Sequence, residues 1–124
     1  MNKKRIAVVG AGIGGMTTAV ALSQKGMDVT IFEQAPTLSE VGAGLTITPN
    51  ATKGLMYLNL GKEIEKIGMA HEHQGVRHYK TGEMIVPLHR GKKMLEQYGA
   101  YQFQLHRADI HDVLIKELKK KVLK

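Results

Sequence analysis

Apolar and polar positions along this chain follow two different periods. Ile6-Ala7-Val8-Val9 is a short apolar run and Val29-Thr30-Ile31-Phe32 is a second, and both read as buried strands. The stretch between them, up to Lys25, has helical character, and Gly26 is placed to end that helix in a left-handed conformation. A polar connection from Gln34 to Glu40 leads into Val41–Thr48, read as a glycine-bearing loop before a short strand. Pro49-Asn50 opens a helix with Asn50 as its cap, Leu55, Leu58 and Met56 as its apolar face, and Gly61 as its stop. Lys62–Ile67 reads as a short amphipathic helix closed by Gly68. Val76–Lys80 and Met84–Leu88, separated by Thr81-Gly82-Glu83, predict a β-hairpin, and Lys92–Gly99 a loop or short helix. Tyr101–His106 alternates as a strand does. Arg107-Ala108-Asp109 then begins a last helix with Ile110, Val113, Leu114 and Leu118 on one face. Asp109 and Asp112 near its start and Lys119, Lys120 and Lys121 near its end match the helix dipole, and His111 and Asp109 read as surface positions.

The join between the first strand and the first helix is Gly10-Ala11-Gly12-Ile13-Gly14-Gly15. Strand, glycine turn, helix, strand and a closing acid, Glu33, form a complete dinucleotide-binding fingerprint. Gly10 allows a sharp turn off the strand. Gly12 lets backbone come close to a pyrophosphate, and Gly15 or Gly14 lets the helix pack tightly on the strand. The first N–H groups of the helix have no internal partner, and the dipole there favours an anion. Glu33, at the carboxyl end of the second strand, can accept hydrogen bonds from both hydroxyls of an adenosine ribose and would repel a 2′-phosphate, so NADP is disfavoured at this site.

Composition narrows the remaining classes. The 124 residues suffice for one domain with a modest core. No apolar stretch is long enough for a membrane span, and the basic amino terminus runs straight into a strand without a signal-peptide apolar region. With no cysteine there is no disulfide, thiolate nucleophile or zinc–thiolate site, which suits a cytoplasmic protein. The net charge of +7 is dispersed and aromatics are only 5%, so it is read as solubility with no nucleic-acid partner. His71 and His73 flank Glu72 but lack a third ligand at recognisable spacing, so no metal site is expected. No nucleophile elbow or carboxylate pair appears, and the seven methionines read as core filler.

Three segments in order, RIAVVGAGIGGMTTAVALSQKGMDVTIFEQ, VGAGLTITPNATKGL and LHRADIHDVL, closely resemble the N-terminal part of the single-component FAD-dependent aromatic hydroxylases, the flavoprotein monooxygenases of salicylate- and p-hydroxybenzoate-hydroxylase type. The resemblance covers essentially the whole chain. It implies a Rossmann-like FAD/NAD(P)-binding α/β fold of three layers, with an incomplete parallel sheet and a small hairpin or meander insertion. It places Gly10, Gly12, Ile13, Gly14 and Gly15 under the FAD pyrophosphate, Glu33 on the ribose, and Ala43 and Gly44 near the ribityl and ring end. Arg107 corresponds to a cofactor-contacting arginine. Gln34 stands where the family often has a basic residue, and Ile110 where it usually has leucine. NAD(P)H is the reductant in the family.

The family's enzymes are several times longer. The resemblance therefore implies that residues 1–124 form a truncated FAD-binding domain without its substrate domain, not catalytically competent alone and with unassigned catalytic residues. An unfinished parallel sheet exposes strand edges and apolar surface, so self-association is expected. Two other readings stay open: a stand-alone interaction module with a vestigial dinucleotide fold, and a fragment of an NAD-dependent oxidoreductase.

Overall fold

The computed structural model describes residues 4–38 and 42–122, so Ser39, Glu40 and Val41 of the predicted connection and loop lie outside the described residues. The element order is β1 (Arg5–Val9), α1 (Ile13–Gln24), β2 (Asp28–Phe32), β3 (Gly44–Ile47), α2 (Pro49–Tyr57), α3 (Gly61–Ile67), β4 (His73–Arg77), β5 (Met84–His89), α4 (Lys92–Tyr98), β6 (Phe103–His106) and α5 (Arg107–Val122). The chain divides into two compact units. One combines the described residues up to Gly44 with those from His106 onward, and the other is Leu45–Leu105.

In the first unit β1 and β2 pair in parallel, from Arg5 opposite Asp28 to Val9 opposite Phe32. Parallel pairing needs a crossover, and α1 supplies it. The core of the unit joins Met16, Ala19 and Val20 of α1 to Ile110, Val113 and Leu114 of α5, all buried. Thr17 and Thr18 satisfy their hydroxyls inside α1 by donating to the carbonyls of Ile13 (2.6 Å) and Gly14 (2.9 Å). Helix α1 closes as predicted. Gly26 takes φ +77°, its N–H bonds the Ser23 carbonyl at 3.0 Å, and Met27 N–H bonds the Leu22 carbonyl at 3.2 Å, the two bonds of a Schellman cap. Among the described residues only one face of the sheet is covered. Ile6, Val8, Val29 and Ile31 are partly buried, whereas Ala7, Val9, Thr30 and Phe32 are exposed, Val9 to 87% and Phe32 to 57%.

The second unit pairs β3 with β6, and Ile47, Phe103 and Leu105 go into its core with Leu55, Leu58, Leu60 and Ile64. An antiparallel bridge joins Met69 to Gln104. The predicted hairpin forms, but its first strand begins earlier, at His73 rather than Val76. His73-Gln74-Gly75 carries no apolar signal, and pairing with Pro87–His89 of β5 makes it a strand. Two helix boundaries also differ from expectation. Thr48, not Asn50, precedes α2, and the Thr48 hydroxyl donates to Asn50 Oδ1, leaving Pro49 at the first helical position. The residue that stops α2 is Asn59, not Gly61: just beyond the cap Asn59 adopts φ 62°, and the N–H groups of Asn59 and Leu60 bond the carbonyls of Met56 and Leu55, both at 2.9 Å. Asparagine tolerates the left-handed region better than most side chains, which frees Gly61 to start α3. Met56, expected on the buried face, is half exposed.

Candidate functional site

The first unit gathers the glycine turn, Glu33, the loop at Ala43–Gly44 and the start of α5. Gly10 leaves β1 at φ +94° while its N–H bonds the Phe32 carbonyl at 2.7 Å, so the turn is tied to the end of β2. Ala11 is buried. Gly12 precedes α1 in an extended conformation (φ −67°, ψ 178°) that any residue can adopt. The first intrahelical bond runs from Met16 N–H to the Gly12 carbonyl at 2.9 Å, so the N–H groups of Ile13, Gly14 and Gly15 precede the helical ladder. No acidic side chain occupies this first turn.

The glycines of the turn differ in what they exclude. A side chain at Gly15 would drive into the Gly10 carbonyl oxygen and reach Val8, so Gly15, rather than Gly14, is the packing glycine. A side chain at Gly12 or Gly14 would meet nothing within 4 Å. Gly14 lies within α1, where glycine costs about 1 kcal/mol relative to alanine. Neither the fold nor the backbone angles of Gly12 ask for glycine, whereas close approach of a ligand does.

Glu33 closes this turn. Its Oε2 accepts the Ala11 N–H at 2.6 Å and its Oε1 accepts the Ala35 N–H at 2.8 Å. These two bonds, Ala11 foremost, hold its carboxyl below the ordinary value of 4.5; partial desolvation opposes them, and the Gln34 N–H and the charge of His111 assist. A carboxylate has about four lone-pair sites, so each oxygen keeps capacity for a hydroxyl donor. Gln34 is exposed beside it and its backbone, not its side chain, acts on Glu33.

Ala43 and Gly44 are exposed. The Ala43 carbonyl accepts the Arg107 N–H at 3.0 Å, and Gly44 has open space where a side chain would be. A side chain at Gly42 would strike the His106 ring. Arg107 begins α5 with an exposed side chain. One residue departs from expectation. His111 is not on the surface; it is 3% exposed, with Nε2 at 2.6 Å from the Ala11 carbonyl oxygen. The signal was its spacing, since His111 shares a helix face with Leu114 and Leu118.

The second unit holds its own cavity of about 730 Å3, lined by Lys53, Arg90, Tyr98 and Gln102 among others. Arg90 is fixed there by Gln74 and Gln102, both at 3.1 Å. His71 is half-buried and His73 lies exposed on β4, and among the described residues no group of three or more acidic or histidine side chains is placed to hold a metal. Among the described residues, no helix is long and apolar enough to cross a membrane.

Comparison with known proteins agrees with the fold. Residues 8–61 match the family model of the NAD(P)-binding Rossmann-like domain. The chain is 36% identical over 119 residues to 6-hydroxynicotinate 3-monooxygenase of Pseudomonas fluorescens, covering 96% of this chain and 31% of that protein. It is 39% identical over 110 residues to 3-amino-4-hydroxybenzoate 2-monooxygenase of Streptomyces cremeus, covering 89% of this chain and 28% of that protein. Among solved structures, Klebsiella pneumoniae HpxO complexed with FAD and uric acid superposes with a TM-score of 0.80 at 26% identity, covering 95% of this chain and 30% of that one. The chain thus spans under a third of the length of the curated relatives it matches. It is similar, over about 30% of their length, to a 6-hydroxynicotinate monooxygenase and to a solved HpxO complexed with FAD, and its residues 8–61 carry the match to the Rossmann-like domain.

Proposed function

We propose that this chain is the FAD-binding part of an NAD(P)H-dependent flavoprotein monooxygenase acting on an aromatic ring. The observation that carries the reading is the pair Gly12 and Gly14, whose missing side chains nothing in the chain requires, set at the first turn of α1 beside the Glu33 carboxylate. In this reading the N–H groups of Gly12, Ile13, Gly14 and Gly15 receive the pyrophosphate. Glu33 accepts from the adenosine ribose, and Gln34 flanks it. Ala43, Gly44 and Arg107 take the ribityl side. Bound there, FAD would supply the redox chemistry. The residues of this chain bind it, orient it and repel a 2′-phosphate. The whole enzyme's activity would draw on further protein for the substrate, and the lack of cysteine suits a reducing cytoplasm. The open sheet face at Val9 and Phe32 supports self-association of the chain as it stands.

The test is titration of the purified chain with FAD, ADP, NAD and NADP, read by calorimetry and flavin fluorescence. FAD and ADP should saturate one site, NADP should bind more weakly than NAD, and Gly12→Val should abolish binding while the circular dichroism spectrum is kept. A folded chain that binds neither FAD nor ADP, or a Gly12→Val variant that binds normally, would favour an interaction module and sink the proposal.

A further inference from the structure

We propose that His111 is a positioning residue for the nucleotide-binding turn, and that the first two turns of α5 hold the two glycine-bearing loops of this unit in register. The inference rests on the FAD reading only for the identity of the ligand.

A peptide carbonyl can only accept a hydrogen bond, so the imidazole must donate, and Nε2 must carry the proton. The Ala11–Gly12 peptide is planar and trans, so its carbonyl and its N–H point in opposite directions. Pinning the Ala11 carbonyl on His111 therefore aims the Gly12 N–H away from α5. The N–H of Ala11 is pinned separately, on Glu33 Oε2 at 2.6 Å. Ala11 is thus held on both its polar groups, one by the residue that follows β2 and one by α5.

That restraint matters because of the residues on either side. Gly10 and Gly12 leave the backbone free to rotate, so a turn built from them has little stiffness of its own. Without His111 the Ala11 carbonyl would be buried and unpaired, and the Ala11–Gly12 peptide would be free to flip and seek another donor. A flipped peptide would present a carbonyl, not an N–H, to an incoming anion. One helical turn before His111, the Arg107 N–H holds the Ala43 carbonyl at 3.0 Å, and His106 fills the space beside Gly42. One helix start therefore grips both loops, Gly10–Gly15 through a side chain and Gly42–Gly44 through the backbone.

The experiment uses the full chain. In the wild type, long-range 1H–15N correlation should show His111 with its proton on Nε2; a neutral ring protonated only on Nδ1 would overturn the proposal. His111→Phe keeps the bulk but removes the donor and should weaken FAD binding at least tenfold. His111→Gln, whose amide reaches to the same position, should recover most of that affinity even if its melting temperature is lower, which a purely space-filling role would not produce. Wild-type affinity in His111→Phe, or no rescue by Gln, would overturn the assignment. If the wild type binds no FAD, the functional reading fails, and the restraint is judged by hydrogen exchange. Exchange at the Ala11 and Gly12 amides should then quicken at least tenfold in His111→Phe, and unchanged exchange would refute it. Should His111→Phe not fold, the tautomer in the wild type decides.

Discussion

At the scale of single residues, the same substitution should have opposite consequences at positions three apart. Gly15→Ala places a methyl group on the Gly10 carbonyl and should destabilise the fold by about 1–3 kcal/mol, visible in chemical denaturation. Gly12→Ala meets open space at a permitted backbone angle and should leave stability within about 0.5 kcal/mol while weakening FAD binding. Glu33 gives a pH signature. Its carboxyl titrates below its ordinary value of 4.5 in the fold, so the ionised form is the favoured one. The stabilisation is fully present above that ordinary value and is lost as pH falls through the lower, folded one. Thermal melts of the wild type and Glu33→Gln should therefore run parallel from neutral pH down to about 4.5 and converge below it. A gap that persists unchanged as pH falls well below that ordinary value would remove the carboxylate from the account. The glycines and Glu33 were legible in the sequence because strand, turn, helix and acid have a fixed spacing set by one crossover. His111 was not, because its role depends on contact with a residue 100 positions away.

Among the elements, the helix ends carry the clearest expectations. Gly26→Ala forces a side chain into φ +77° and should cost about 1 kcal/mol, read as a lower melting temperature. Asn59→Gly should be neutral or slightly stabilising and Asn59→Ala destabilising, since Asn59, not Gly61, occupies the left-handed position after α2. Leu114, fully buried on α5, should cost about 2–5 kcal/mol when cut to alanine. Glycine punctuation made most helices readable in the sequence, and it misled where asparagine did the same work. Strand β4 was displaced because His73-Gln74-Gly75 has no pattern of its own and takes its register from β5.

For the molecule as a whole, the exposed half of the parallel sheet is the main liability. Parallel sheets are usually covered on both faces, and here Val9 and Phe32 face outward. Sedimentation velocity should show concentration-dependent association, and Val9→Ser with Phe32→Ser should shift the population toward monomer; no shift would place the contact elsewhere. The sequence pattern disclosed the parallel pair and its likeness to a longer family, but not the division into two units, which depends on which distant segments return to one another.

That division bears on how the protein is made. The unit holding the glycine turn interleaves the segment up to Gly44 with a helix synthesised only after the whole of Leu45–Leu105. During translation β1, α1 and β2 emerge with their apolar side uncovered and wait while the intervening segment is produced. Until α5 leaves the ribosome, Ala11 has no imidazole to meet, so the nascent chain passes through an interval in which the turn exists but cannot yet be set.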